Sequence, residues 1–183
     1  MAARYFLIQA RANRLMNHRL YEAVKQLSQE ELVAPRSGRF ASLHEALKRL
    51  LDVSVFYDCA LHDQRFDMET WSPHAANAVE LAQSQKVVDE GVIEFCRRLA
   101  DDDLGETFVD EIGVVKDEVR ERVDLTLLDL FTSQSHLRGG ILTMLSGSSV
   151  TPPDLDIFLM AGEWKARAGD LAACRLTEAD LKP

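Results

Sequence analysis

The sequence LTLLDLFTSQSHLRGGILTML, residues 125–145, decides the fold because its apolar positions follow the period of one long helix. Counted from a little upstream, these positions recur in steps of three, four or seven: Val119, Val123, Leu127, Leu130, Leu137, Ile141 and Met144. This spacing is typical of an amphipathic helix with one face in the core. The same helix places Asp129, Ser133 and Leu137 on one face, since they stand four residues apart. The sequence SGSS at 146–149, ahead of two prolines, predicts its end.

The chain before this segment predicts three further long helices, over residues 2–27, 43–61 and about 74–99. Ser42 is the expected N-cap of the second, with Glu45 completing a capping box. Arg49 lies in the middle of that helix, which is apolar on nearly every side, so its side chain is expected to point inward. The fourth helix is expected to start near residue 117, and residues 106–109 and 114–115 before it form either a loop or, preferably, a small hairpin.

The C-terminal part of the chain is expected to add helix outside the four. Residues 154–159 are expected to begin a short helix, and the tail to residue 183 to form one more. Asp154 and Asp156 are interpreted as N-caps and loop contacts rather than catalytic acids. The sequence therefore predicts an all-α fold, with a four-helix bundle over 1–160 and a C-terminal extension at 161–183 packed on the same domain.

Composition excludes several classes of partner. The chain has 183 residues, of which 46% are apolar and 28% charged, as expected for one globular domain. Its formal net charge of −9 repels phosphate backbones and anionic membranes, and its nearest basic group, Arg11, Arg14 and Arg19, is interleaved with the helix pattern. No run approaches 18 apolar residues. We therefore expect neither nucleic acid nor membrane as a partner.

The cysteines and histidines give little support to a metal or redox site. Three cysteines stand far apart without a C-x-x-C pair: Cys59, Cys96 and Cys174. The N-terminus has no signal-peptide pattern, so a cytoplasmic location is expected. No two of the five histidines are four residues apart: His18, His44, His62, His74 and His136. Two weak alternatives remain, a shifted site using His136 with His44, and His62 with neighbouring aspartates at 58 and 63.

Four segments, taken in order, resemble the DinB/YfiT-like family of four-helix bundles. The sequence ANRLMN at 12–17 partly matches the family's opening Y-N-x-W-A-N pattern, with Leu15 in place of tryptophan. FASLHEALKRLL at 40–51 is similar to a second-helix signature that usually ends N-H-L-L. FTSQSHLRG at 131–139 resembles F-N-H-Q-T-H-H-R-G, and PDLD at 153–156 resembles the P-x-D-x-D segment. The resemblance spans about residues 10–160 and leaves out the C-terminal extension.

The resemblance implies a divalent-metal site, such as zinc or nickel, held by three histidines. One comes from the second helix and two, four residues apart, come from the fourth. Here the corresponding positions are Arg49, Ser133 and Leu137, while His44 and His136 match histidines of the motif that are not ligands. A guanidinium, a lone hydroxyl and a leucine do not bind a divalent ion. We therefore expect a degenerate metal site and no metal cofactor.

Arg49 then requires another partner if it points into an apolar environment. The resemblance places its position opposite Ser133, and Asp129 lies one turn below Ser133 on the fourth helix. The hypothesis is an Arg49–Asp129 ion pair with Ser133 as a neutral hydrogen-bond partner, and Asp52 and Glu45 as competing partners. If the pair leaves donors free toward a cavity, a small anionic molecule could bind there. If it is closed, the pocket is a filled remnant.

Three interpretations of function follow. The first is a metal-free bundle that binds a small molecule or a protein partner. The second, implied by the resemblance alone, is a metal-dependent thiol S-transferase or isomerase-like enzyme. The third is a purely structural homodimer; the absent ligands favour the first and third. The apolar run YFLI at 5–8 predicts a homodimer, with packing under the C-terminal tail as the alternative.

Overall fold

The structure, a computed structural model, describes residues 2–62, 64, 66, 75–110, 119–157 and 164–182. Its elements are, in chain order, α1 (Ala2–Val24), α2 (Gln29–Val33), α3 (Leu43–Leu61), α4 (Ala78–Arg98), β1 (Thr107–Asp110), β2 (Val119–Arg122), α5 (Val123–Leu145) and α6 (Trp164–Ala173). Short 3-10 helices occupy Asp102–Gly105 and Glu178–Leu181. The four long helices α1, α3, α4 and α5 are those predicted from the sequence, and the all-α fold is confirmed.

Side-chain caps fix where two of these helices begin. Ser42 Oγ accepts a hydrogen bond from the Glu45 amide at 3.2 Å, so α3 begins where predicted. The Glu45 carboxylate accepts from the Ala41 amide instead of closing the expected box on Ser42. Asn77 Oδ1 accepts from two amides of the first turn of α4. This cap starts α4 at residue 78, later than predicted, while position 74 lies outside the described residues.

A hairpin precedes α5 and shortens it. Strands β1 and β2 pair antiparallel, with Thr107 opposite Arg122. The preferred hairpin is therefore present with β2 as its second strand, while residues 114–115 lie outside the described residues. The interpretation of Val119 as helical was wrong, and α5 begins at residue 123 rather than near 117. The Val123 amide donates to the Glu106 carbonyl at 3.0 Å, which holds the chain in the hairpin up to that residue.

The C-terminal extension packs against α1. Arg19 Nε lies 2.6 Å from Asp170 Oδ2, and Arg11 Nη2 lies 3.0 Å from Asp180 Oδ1. Buried side chains of α6 and the residues after it surround Leu15. The short helix predicted from residue 154 is wrong for residues 154–157, which are not helical; residues 158–159 lie outside the described part. Instead the Asp156 amide donates to Asp154 Oδ1 at 2.8 Å, a loop contact.

The core consists of two main apolar clusters, arranged along the bundle. One contains the C-terminal part of α1, most of α3 and the C-terminal part of α5. The other contains the N-terminal parts of α1 and α5 with the C-terminal part of α4. Between them, α1, α4 and α5 each bring buried polar side chains. Within the described residues, no helix has the length and apolarity that crossing a membrane requires.

Candidate functional site

A layer of buried polar side chains separates the two apolar clusters. Three helices contribute pairs spaced four residues apart, so that each pair shares a helix face. With one residue from α3, these seven side chains form what we call the polar layer: Asn13, Asn17, Ser54, Gln85, Asp89, Gln134 and Arg138. Each is at most 5% exposed to solvent. Burying so many polar groups requires that they bond to one another.

Arg138 is the cation of the polar layer. Its Nη1 donates to Asn13 Oδ1, to Asn17 Oδ1 at 2.9 Å and to Gln134 Oε1 at 3.4 Å. Asn17 Nδ2 in turn donates to both carboxylate oxygens of Asp89, at 3.0 and 3.2 Å. The Asn17 amide therefore connects a buried cation to a buried anion that it does not touch directly. Burial lowers the pKa of Arg138 to about 10, against the opposing effect of Asp89.

Ser54 fixes the orientation of two glutamine amides. Its hydroxyl donates to the Leu50 carbonyl at 2.7 Å, which leaves its oxygen to accept. Gln85 Nε2 donates to it at 2.9 Å, and Gln134 Nε2 donates to it as well. Gln85 Nε2 also donates to Asp89 Oδ1 at 3.0 Å, as an ionised carboxylate requires. The carbonyl oxygen of Gln85 must therefore point away from the layer.

Asp89 carries the negative charge of this region. Burial raises its pKa to about 6, and the effect is limited by hydrogen bonds from Gln85 and Asn17 and by the positive charges of Arg14 and Arg138. At neutral pH one carboxylate thus faces two guanidinium groups. The interior around Asp89 holds one more positive than negative charge.

Arg14 is the unbalanced cation. It is 5% exposed, and no hydrogen bond or ion pair joins its guanidinium to any residue that the structure describes. Its Nε atom is buried without a partner. A buried guanidinium is always charged, and leaving it unpaired is costly. This is the condition that a bound anion would relieve.

A cleft of about 130 Å³ opens beside Arg14, between α1 and α4. Two further buried atoms without hydrogen-bond partners belong to side chains that line this α1–α4 cleft, Tyr21 Oη and Gln85 Oε1. Tyr21 is 2% exposed, and burial, followed by the charge of Asp89, raises the pKa of its hydroxyl, so it remains a donor. All three atoms are buried, so the cleft passes beside them without reaching them.

The other charged groups at the cleft already have partners. Lys25 Nζ lies 2.5 Å from Glu22 Oε1, and Lys86 Nζ lies 3.9 Å from Glu90 Oε1. Burial lowers the pKa of His18, against the charges of Glu22 and Asp170, so its ring is neutral at pH 7. Among the charged lining residues that the structure describes, Arg14 therefore stands apart as the cation in need of a counter-ion.

The positions predicted to form the family's metal site lie between α3 and α5. Leu137 is buried in the apolar core, while Arg49 and Ser133 are half-buried. The donor set of a guanidinium, a hydroxyl and an alkyl group does not fit a divalent metal. Their predicted role as a pocket remains a prediction.

The carboxylate of Asp129, the hypothesised partner of Arg49, has another hydrogen-bond partner in the structure. Within the described residues no ion pair of 4.0 Å or less joins them, and Asp129 is exposed. The Asp129 carboxylate instead accepts a hydrogen bond from Tyr57 Oη. Burial and this bond raise the pKa of Tyr57, opposed in part by a hydrogen bond with Ser133 and by the charge of Arg49. Tyr57 reaches Asp129 from α3 because residue 129 lies at the outer edge of the buried stripe of α5.

The predicted histidines do not assemble into a site. His44 Nε2 lies 2.9 Å from the Ala75 carbonyl, and His136 is exposed on α5. His62 Nδ1 lies 3.4 Å from Asp58 Oδ1, one turn earlier at the end of α3. Across the described ranges, no group of three or more histidine, cysteine, aspartate or glutamate side chains is placed to hold a metal ion. The described structure does not bring His136 and His44 together with a third ligand.

The polar layer was not predicted from the sequence, although a signal was present. Asn13 with Asn17, Gln85 with Asp89 and Gln134 with Arg138 are polar pairs spaced four apart within otherwise apolar stripes. On α5 the predicted site used the row of Asp129, Ser133 and Leu137, which lies beside the polar layer rather than in it. Shifting that row by one residue gives Gln134 and Arg138, which point inward.

Comparison with known structures supports the DinB-like fold. A crystal structure of a DinB-like protein from Bacillus cereus ATCC 10987 matches this chain with a TM-score of 0.58 and 15% sequence identity. The match covers 76% of this chain and 89% of that chain. No protein-family model and no curated protein matches the sequence. The resemblance inferred from the motifs is thereby confirmed at the level of the fold.

Proposed function

We propose that this chain is a DinB-like bundle that binds a small anionic molecule in the α1–α4 cleft and lacks the metal site its fold implies. The observation that carries the proposal is the buried, unpaired guanidinium of Arg14 lining that cleft. An acid group in the cleft would supply the negative charge that Arg14 lacks. This location differs from the one expected at Arg49 and Ser133.

Two features support binding rather than a structural role for Arg14. A structural arginine of this bundle finds protein partners, as Arg138 does with three side-chain oxygens. The second feature is that Arg14 lines a cleft open to solvent, so that an anion can come close to its charge.

The proposal is tested by titrating propionate, a minimal carboxylate, into isotope-labelled protein and following backbone amide shifts. We expect saturable shifts in α1 and α4, lost in Arg14→Met. Arg98→Met is the matched control, because it removes the same charge from an exposed part of α4. Shifts confined to α3 and α5 and lost in Arg49→Met would instead place the anion at the family position. No saturable shift in either region would refute the proposal.

We also propose that the protein forms a homodimer through the apolar start of α1. Tyr5 is 57% exposed, and the C-terminal extension contacts α1 further along, at Arg11, Leu15 and Arg19. Phe6 and Leu7 pack partly against the second core cluster, so Tyr5 is the exposed residue of the apolar run at 5–8. Sedimentation velocity at micromolar concentration should show a dimer, and Tyr5→Glu should shift it to monomer. A monomeric wild-type protein would refute this part.

A further inference from the structure

One face of α5 is exposed to solvent but carries few charged residues. Leu125 and Leu128 are 46% and 53% exposed. The other exposed positions up to residue 143 hold one acid, one histidine and small uncharged residues: Asp129, Thr132, Ser135, His136, Gly139, Gly140 and Thr143. The opposite side of the helix is buried against α3 and α1. A helix that is largely uncharged all round is typical of one that is covered on both sides.

The two glycines of this face have no packing role within the fold. A Cβ added at Gly139 or Gly140 would meet no atom within 4 Å, so neither glycine makes room for a neighbouring element of the chain. Inside a helix each glycine costs about 1 kcal/mol relative to alanine. Glycine allows another backbone to approach closely, and here only a helix from outside the chain could use that space.

The order of large and small residues makes the face complementary to itself. Leu125 and Gly139 each lie seven residues from Thr132, on the same side of the helix. If two copies of α5 pack antiparallel about a two-fold axis at Thr132, Leu125 of each copy meets Gly139 of the other. A large side chain then fills the space over a small one, as ridges fill grooves between packed helices.

The polar residues of the face fit the same arrangement. Asp129 precedes Thr132 by three residues and His136 follows it by four, so the axis brings Asp129 of one copy near His136 of the other. An imidazole N–H can donate to a carboxylate, and the pair occurs twice. A parallel arrangement would instead place the two copies of Asp129 together and leave the glycines facing one another.

The length of α5 sets the size of the contact. Its 23 residues extend about 34 Å, and a helix is about 10 Å wide. Two such faces in contact bury roughly 300–400 Å² on each copy, somewhat under half of the 800 Å² per partner of a standard interface. Residues beside α5 supply the remainder. Tyr5 lies at a suitable end of the bundle, since its neighbours Phe6 and Leu7 pack in the same apolar cluster as the first turns of α5.

We infer that a second copy of this chain packs on the exposed face of α5, with the two α5 helices antiparallel and centred on Thr132. This inference rests on the homodimer proposed above, since it assigns a large part of the dimer contact to α5.

The first test separates the dimer contact from helix stability. Gly139→Ala should stabilise the single copy, because alanine favours a helix, but its methyl group should crowd Leu125 of the other copy. We expect the dimer dissociation constant to rise about tenfold in Gly139→Ala and about a hundredfold in Leu128→Glu. Sedimentation equilibrium measures this constant, and thermal unfolding measures the stability of each variant.

Two matched controls should leave the dissociation constant unchanged. Gly169→Ala replaces a glycine of α6 that also has open space around it. Val87→Glu replaces an apolar residue that is 68% exposed on α4. Weakening of the dimer by Gly169→Ala and Gly139→Ala to the same extent would overturn the assignment of the contact to α5.

The second test examines the antiparallel arrangement. His136→Glu places a carboxylate near Asp129 of the other copy and should raise the dissociation constant several-fold. Adding Asp129→Lys to the same protein restores an opposite-charge pair, so the double variant should recover most of the loss. A double variant that dimerises no better than His136→Glu would overturn this arrangement.

The remaining outcomes distinguish this inference from the proposal on which it rests. A dimer that dissociates in Tyr5→Glu but persists unchanged in Gly139→Ala and Leu128→Glu would overturn the α5 contact and leave the contact at the start of α1 standing. A wild-type protein that remains monomeric at micromolar concentration would overturn both.

Discussion

The two sides of the bundle hold their charges in opposite ways. Between α3 and α5, where the sequence resemblance predicts a metal site, Arg49 is half-buried and Asp129 is exposed, and the described hydrogen bond of Asp129 is with Tyr57. On the side of α1 and α4, Arg14, Asp89 and Arg138 are each at most 5% exposed. Water screens the first group, whereas the second depends on protein groups. The difference shows that a charge near solvent is stable without a protein counter-charge, whereas a charge inside the bundle needs one.

The largest effect should distinguish Arg138 from Arg49. Arg138→Met leaves three buried side-chain oxygens without the guanidinium that donates to them, which should lower the free energy of unfolding by about 3–5 kcal/mol. Arg49→Met removes the same charge from a half-buried site without a described hydrogen bond and should cost less than about 1 kcal/mol. Chemical denaturation of both variants measures the difference.

Arg138→Lys refines this first test, because it keeps the charge and loses the planar donor group. Its stability should lie between those of the wild-type protein and Arg138→Met. Equal losses for Arg138→Met and Arg49→Met would contradict the distinction between the two sides of the bundle.

The bundle was predictable from the sequence because helical periodicity and the order of the motifs can be recognised without knowing the tertiary contacts of each residue. The start of α3 and the end of α5 follow from Ser42 and Ser146, whose roles are local. The start of α5 was missed because β2 is held by pairing with β1, a contact distant in sequence.

The site was less predictable, for a related reason. Whether residue 133 or 134 faces inward depends on a rotation of α5 of about one residue, 100° on a helix of 3.6 residues per turn. Tertiary packing sets that rotation, and it brings Gln134 inside with Asn17 and Ser54. The anion site proposed at the cleft depends on Arg14 having no protein partner. A sequence does not show which contacts a residue lacks, so this site could not be predicted from it.

A pH-dependent effect of intermediate size should belong to Asp89. Its folded-state pKa is raised to about 6 from an ordinary 3.8, so between these values the native state binds more protons than the unfolded chain. Stability contributed at this residue is therefore greatest below about pH 4, falls as pH rises to 6, and stays low above. The total change is roughly 3 kcal/mol, at 1.36 kcal/mol for each pKa unit.

The measurement is the difference in unfolding free energy between the wild-type protein and Asp89→Asn, from pH 4 to pH 7. Subtraction removes groups such as Asp124 and Asp180, whose pKa values are lowered by hydrogen bonds and whose stabilisation is lost in acid. As pH rises from 4 to 7, the wild-type protein should lose roughly 3 kcal/mol of stability relative to Asp89→Asn. A difference independent of pH would contradict an ionised, buried Asp89.

The smallest effect compares one tyrosine from each side. Tyr57→Phe removes the hydrogen bond to Asp129 and should cost about 1 kcal/mol, because a half-buried hydroxyl bonded to a carboxylate contributes modestly to stability. Tyr21→Phe removes a buried hydroxyl that has no partner, so it should be neutral or stabilise the ligand-free protein by up to about 1 kcal/mol. Thermal unfolding of both variants measures the sign of each change in stability. Equal losses of stability in the two variants would contradict the absence of a partner for the Tyr21 hydroxyl.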